Sequence, residues 1–360
     1  MAFNSKIFSN RVKSFIIILK DKDRKTIIRM VVEIIRIMLV HKCIPYHYIS
    51  HYLFKKQCLN ILDYLPNKFL YKIKIKFNDQ NVIYYIENKY FFNFFYDSFG
   101  INTPKVLMFN DFNSFKTDNE ILEIKNSTDF KDVLFKLVNN YGPEGSVFIK
   151  KTYGSGSGAN IYKVSKQVLG NDEFIASLYQ QVIKSGYLFQ ETIQQHPQME
   201  KINPSSINTI RIDTYIDKSG TIDIMSAHLR MSIKNLHVDN MGAGGCAVSI
   251  DLKTGCLKEY GYSLIKYGNG QLYTEHPVTE TVFLNYAIPH FEEAKSMVIK
   301  AASLMPGLRL VGWDVGISNT GPVLIEGNYD YDITGSDFMY GGYRSNPIFR
   351  KALKEIGYIK

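Results

Sequence analysis

Cysteine is scarce in this chain: Cys43, Cys58, Cys246 and Cys256 are the only four in 360 residues. They form no CxxC pair and lack the dense, even spacing of a secreted disulfide framework. They read as reduced thiols of a cytosolic protein, and a zinc finger or ribbon is not expected. Long apolar runs are missing too. The N-terminal stretch MAFNSKIFSNRVKSFIIILKDKDRK starts basic but is continuously apolar only from Phe15 to Leu19, too short for a signal-peptide core or a membrane span. There is no low-complexity linker, internal repeat, or RNA-recognition or zinc-finger signature. The KTDN at Lys116 to Asn119 lacks the glycine of a Lys-x-Asp-Gly nucleotidyltransferase motif, so no nucleic-acid partner is expected.

What is present is an ordinary globular composition, 45% hydrophobic and 21% charged, enough to bury a large core in two or three subdomains. Lys and Arg exceed Asp and Glu by 43 to 34, a formal charge of +9, which points to an anionic ligand or surface. Residues 1–75 read as a basic helical region. In its run TIIRMVVEIIRIMLVHKCI, Arg29, Glu33 and Arg36 recur at helical spacing, predicting one polar stripe on a mostly buried helix. A basic amphipathic helix in peripheral contact with a membrane is the alternative reading.

Residues 76–125 read as an α/β segment, with Gly100 ending a helix in KYFFNFFYDSFG and Pro104 opening the KVLMF strand. A loop and a helix fill the stretch from Asn113 to Gly145. The chain is then strand-rich to about residue 275, with a further helix in FEEAKSMVIKAASLM. Boundaries are expected at 126–190 for a glycine-loop subdomain, 191–335 for a second subdomain and 336–360 for a C-terminal tail. Interleaved strands and helices favour an α+β or α/β class.

SVFIKKTYGSGSGANIYKV places Gly154, Ser155, Gly156, Ser157 and Gly158 between two strands. Glycines allow positive φ and close approach, so successive amides can cradle phosphate oxygens; a flexible hairpin turn fits the same glycines. A Walker A lysine closes its loop and a protein-kinase lysine follows it, whereas Lys150 and Lys151 precede this one. Downstream, Arg211 sits in an alternating stretch, and Arg230, His237, Asn240 and Gly242, Gly244 and Gly245 follow. An arginine on a strand can clamp a phosphate or carboxylate bidentately, or form an ordinary surface ion pair.

VGWDVGISNTGPVLIEGN reads as a hairpin. A three-residue loop of Asn319, Thr320 and Gly321 pairs Ser318 with Pro322, Ile317 with Val323, Val315 with Ile325 and Trp313 with Gly327. The other face then opposes Asp314 to Glu326 and Gly312 to Asn328. Like charges directly opposed destabilise a sheet, so a neutralising group is required, and Asp314, Glu326 and Asn328 supply the hard oxygens that Mg²⁺ prefers. Gly312 and Gly316 are expected to leave room for a ligand on that face.

These pieces in this order resemble the ATP-grasp superfamily, and within it the sugar-transfer-associated branch of bacterial surface-polysaccharide clusters. The closer resemblance rests on QETIQQHPQMEKINPSSINTIRIDTY, VDNMGAGGCAVSIDLKTG, HPVTETVFLNYAIPHF and VGWDVGISNTGPVLIEGNYDYD, across roughly residues 85 to 335. It implies an ATP-grasp fold, two α+β subdomains clamping ATP, after the helical N-terminal region. It assigns Lys89 and Lys150 to nucleotide phosphates, the Gly154 to Gly158 loop to a lid over them, and Gln190, Glu191, Thr192 and Ile193 to a hinge that reads adenine through backbone groups. Mg²⁺, or Mn²⁺, would bind Asp314, Glu326 and Asn328, while Arg230 and Arg211 stabilise an oxyanion. The implied reaction is an acyl-phosphate carboxylate–amine ligation joining an amino acid or peptide to a sugar or nucleotide sugar. Two features depart from the pattern: Lys151 stands where proline is usual, and no ribose-binding acid is evident after the hinge.

Overall fold

The computed structural model describes residues 17–141, 145–154, 160–233, 242, 244–265 and 270–359. Its N-terminal layer contains α1 (Ile27–His41) and α2 (Asn67–Phe77). Thr26 caps α1 by accepting the Arg29 amide, and a left-handed Lys42 ends it. The face that α1 turns inward is the reverse of the expected one. Glu33 is buried, with Oε2 accepting from Lys25 Nζ at 2.8 Å and Tyr48 Oη at 2.7 Å, and Oε1 accepting from Arg29 Nε at 3.0 Å. Met30, Ile37 and His41 share that buried line, while Ile28, Val32, Ile35 and Leu39 face solvent. The carboxylate is drawn in because a buried lysine, itself needing a counter-charge, waits beneath the helix. The helix is therefore mostly exposed.

Next come α3 (Lys89–Ser98) and a six-stranded antiparallel sheet. Its strands are β1 (Val106–Asp111), β2 (Ser114–Lys116), β3 (Ile121–Leu122), β4 (Ser146–Lys151), β5 (Ile161–Ser165) and β6 (Gly186–Glu191), in the order β3-β2-β1-β6-β4-β5. Two helices cover it, α4 (Ser127–Tyr141) and α5 (Asp172–Val182), with Phe130, Leu134 and Leu178 packed on Val147 and Phe189. The short β2–β3 hairpin occupies a stretch expected to be loop. The expected break at residue 125 cuts through this sheet, because β1 pairs directly with β6.

A second, seven-stranded antiparallel sheet has the order β11-β10-β9-β8-β7-β12-β13. Its strands are β7 (Thr209–Ile216), β8 (Ile222–Met231), β9 (Cys246–Ile250), β10 (Leu257–Ser263), β11 (Leu272–Tyr273), β12 (Leu310–Ser318) and β13 (Gly321–Asn328). All eight residues of β7 are buried, so both faces are covered. On one face α6 (Phe291–Leu304) packs Ala294, Val298 and Ala301 over Ile212, Leu229 and Trp313. The polar face is roofed by α7 (Thr334–Met339) and α8 (Pro347–Glu355). The C-terminal stretch is thus part of the core rather than a tail: Phe349, Ala352 and Leu353 are fully buried, and Glu355 forms a two-point ion pair with Arg309.

Candidate active site

The chain passes from one sheet to the other directly after β6. Gln190 is buried between Val106 and Phe148, its partners on β1 and β4. Glu191 closes a two-way contact with Lys105, its amide donating to the Lys105 carbonyl and its Oε1 accepting from the Lys105 amide. Thr192 Oγ1 donates to the Ser146 carbonyl at 2.8 Å. Four residues on, the His196 amide donates to the Ile317 carbonyl near the tip of β12. The segment expected to be a hinge is therefore the physical link between the sheets.

The β12–β13 hairpin opposes Asp314 to Glu326, Trp313 to Gly327 and Gly312 to Asn328, as expected, by a different route. The turn has two residues, so Ser318 pairs with Gly321, Ile317 with Pro322 and Val315 with Leu324. A bulge at Ile325 then absorbs one residue and restores the register at Asp314. The room expected over the glycines is filled. A Cβ at Gly312 would lie 2.8 Å from the Tyr331 ring and 3.0 Å from Arg211 Cδ, and one at Gly316 would meet Ile207, Ile325 and Ile193.

The opposed carboxylates are compensated by cations of the protein itself, so their pairing does not by itself require a metal. Arg211 Nε and Nη2 donate to the two oxygens of Asp314 at 2.6 and 3.2 Å, and Arg230 Nη2 reaches Oδ2 at 2.9 Å. Burial opposes ionisation of Asp314, but the two guanidinium groups outweigh it and hold the carboxyl at about 2. Arg230 also donates to Thr209 Oγ1 through Nε and Nη2. Asn328 Nδ2 approaches Asp314 Oδ2 at 3.4 Å.

Glu326 takes its cation from the first residue of α3, whose Phe92 and Tyr96 pack into the core of the second sheet. Asn88 caps α3, accepting from the Tyr90 and Phe91 amides, and this places Lys89 so that its Nζ donates to Glu326 Oε1 at 2.7 Å. The Lys89 amide donates to the Thr152 carbonyl, just beyond β4. Lys150 on β4 belongs to the same electrostatic group: burial and the neighbouring Lys89 charge push its ammonium down to about 8, against the pull of Glu326. Lys89 thus stands where its helix, packed through Phe92 and Tyr96 on the core of the second sheet, meets the end of β4, and Glu326 faces it from β13. Gly154 follows, with φ +68, and no atom of the described residues lies within 4 Å of where a Cβ would stand on it. Ser155, Gly156, Ser157 and Gly158, with His237 and Asn240, lie outside the described residues.

Several residues here escaped the sequence reading. Asp213 is buried two positions beyond Arg211, its Oδ2 accepting from Ser226, Ser336 and Tyr343. Burial raises its pKa against those donors and Arg211. His228 stands directly opposite Arg211 on β8 and is kept neutral by burial and by Arg211 and Arg230. Asp213 Oδ1, His228 Nδ1 and the Tyr331 hydroxyl find no partner among the described residues. The alternation of Thr209, Arg211 and Asp213 was the only local signal. Asp314, Glu326 and Asn328 provide two carboxylates and an amide oxygen, a donor set that suits Mg²⁺; no cluster of three His, Cys, Asp or Glu among the described residues offers an alternative centre.

Similar folds occur in solved structures at low identity. D-alanyl-alanine synthetase A from Vibrio cholerae shares 15% identity over 76% of this chain, with a TM-score of 0.45. The biotin carboxylase domain of the Hydrogenobacter thermophilus 2-oxoglutarate carboxylase shares 13% over 79%, with a TM-score of 0.42. N5-carboxyaminoimidazole synthetase from Staphylococcus aureus, in complex with ADP, shares 10% over 76%, with a TM-score of 0.41. The chain spans 65% of the first of these proteins and 50% and 53% of the other two. No curated protein sequence matches it. The family model described as sugar-transfer associated ATP-grasp matches residues 69–343, which include both sheets and every residue of the site above, and the chain belongs to that family.

Proposed function

We propose that the protein is an ATP- and Mg²⁺-dependent carboxylate–amine ligase that forms an amide through an acyl phosphate. The carboxylate donor or amine acceptor would be an amino acid or short peptide, joined to a sugar of a bacterial capsule or O-antigen precursor on the cytoplasmic side, where ATP is available. The observation that carries this reading is the contact of Lys89 with Glu326, the cross-strand partner of Asp314, with the Lys150 ammonium of β4 in the same charge group. A polyphosphate placed there finds two ammonium groups and adjacent hard-oxygen ligands.

In the first half-reaction a substrate carboxylate oxygen attacks the γ-phosphorus of ATP, giving the acyl phosphate and ADP. In the second, the amine attacks the acyl carbon, the C–O bond to phosphate breaks, and the amine gives up a proton. Such chemistry asks the protein mainly to position groups and to neutralise charge. Lys89 and Lys150 would hold phosphate oxygens, and backbone groups from Gln190 to Ile193 would read the adenine edge. The bulged Ile325, together with Ile193 and Ile207, would give the base an apolar wall. Mg²⁺ on Asp314, Glu326 and Asn328 would supply charge neutralisation of the β- and γ-phosphates. Arg230 spends Nε and Nη2 on Thr209 and Asp314, so its Nη1 hydrogens are the donors suited to the tetrahedral oxyanion, with Arg211 behind it. The glycine loop from Gly154 to Gly158 would exclude water from the acyl phosphate.

Thermal unfolding with ATP and Mg²⁺, singly and together, tests the site in wild type and Glu326→Gln. A ligand at about a hundred times its Kd adds roughly 2.7 kcal/mol of stability. Wild type is expected to shift with both present and the variant to lose most of the shift; equal shifts would remove Glu326 from the site. Product analysis then decides the reaction. Amide with ADP supports the ligase, a phosphorylated substrate with ADP indicates a kinase, and no turnover with retained binding indicates a nucleotide-binding partner in polysaccharide assembly.

A further inference from the structure

α1 presents an unusual surface. Eight of its fifteen residues are large, apolar and exposed, and the most exposed, Ile28 at 79% and Leu39 at 74%, lie on the pole opposite the buried line. Val32 at 58% and Ile35 at 50% complete that pole. Single exposed hydrophobics are normal, whereas a contiguous stripe marks an interaction surface. The orientation is fixed from beneath: the buried contacts of Glu33 with Lys25 and Tyr48 prevent the helix from rolling its apolar arc inward.

We propose that α1 is an interfacial helix that lays this arc into the headgroup region of an anionic lipid bilayer. The charge pattern selects that occupant. From Arg24 to Tyr46 the only acidic residue is Glu33, which is turned inward and paired. The exposed Arg29, Arg36 and Lys42 flank the arc, where long basic side chains can reach phosphate groups while the apolar residues enter the acyl boundary. A second copy docked on the same stripe would bring like charges together. The chain's first sixteen residues are no better a match, carrying Lys6, Arg11 and Lys13 and no acid. At 1.5 Å per residue the helix is about 22 Å long, short of the ~30 Å hydrocarbon core, and no helix among the described residues is long and apolar enough to cross a membrane. It lies on the bilayer rather than spanning it.

The test is flotation of the full chain with vesicles of mixed phosphatidylglycerol and phosphatidylcholine, and with vesicles of phosphatidylcholine alone. Wild type should float with the anionic vesicles, more weakly as salt rises, and poorly with the neutral ones. Two variants, Val32→Glu/Leu39→Glu and Arg36→Glu, change only exposed side chains and should keep the wild-type unfolding temperature. Each is expected to lose partitioning by on the order of tenfold or more. Failure of wild type to float with anionic vesicles, or undiminished flotation of the Val32→Glu/Leu39→Glu protein, overturns the proposal. So does conversion of a dimer to a monomer by that variant in light scattering without lipid, which would assign the stripe to a second copy.

Discussion

Arg211 and Asp314 stand directly opposite one another on β7 and β12, and the guanidinium closes on the carboxylate through both Nε and Nη2. Neither side chain has an independent place in the buried face. Asp314→Asn would leave two guanidinium groups without their counter-charge, and removing one partner of a buried pair costs about 3–5 kcal/mol. Urea denaturation should show that loss. An Arg211→Met/Asp314→Asn double variant should be less destabilised than the sum of its single variants.

The same pair sets an acid limit. The folded carboxyl of Asp314 is held at about 2, below the ~3.9 of an unfolded aspartate. Because the folded value is depressed, its contribution is complete above about pH 4 and disappears as pH falls through 2. It amounts to on the order of 2–3 kcal/mol. The stability difference between wild type and Asp314→Asn, followed by denaturation from pH 5 to pH 2, should therefore narrow toward the acid end; a difference that is flat with pH would contradict this origin.

Lys150 should be chemically distinguishable from the surface lysines. With its ammonium pushed down to about 8, competitive amine labelling followed by mass spectrometry should give a pH midpoint near that value, below the ~10.4 of a free lysine side chain. Glu326→Gln removes the one neighbour that favours the charged form and should lower the midpoint further. ATP with Mg²⁺ should suppress labelling at Lys150 and Lys89.

Gly312 is required by contact. A methyl group there meets the Tyr331 ring and Arg211 Cδ at 2.8 and 3.0 Å, so Gly312→Ala must displace the arginine that holds Asp314. A stability loss of about 1–3 kcal/mol is expected, with weaker stabilisation by ATP and Mg²⁺ than wild type shows.

The carboxylate pairing was legible in the sequence because alternation and a turn signal are local, although two features of the hairpin offset each other. The turn is one residue shorter than expected, and the bulge at Ile325 makes up the difference. The partners of Asp314 were not legible, since the register of β7 against β12 is set by packing across 103 positions of sequence. Lys89 could be assigned only by family resemblance; its partner Glu326 lies 237 residues away. For α1, periodicity specifies the helix but not which face turns inward, because the buried Lys25 that recruits Glu33 lies outside the periodic run.

The bulge has a genealogical consequence. Deleting Ile325 would set Leu324 opposite Val315 and Glu326 opposite Asp314 without any slip, since the pairs on either side of the bulge already follow one another on β12. The carboxylate register is therefore indifferent to this residue. What would vanish is the isoleucine against Gly316, close to Ile193 where the chain crosses between the sheets. Lineages of this family could gain or lose that single codon and remodel the crossing point while leaving the carboxylates in place.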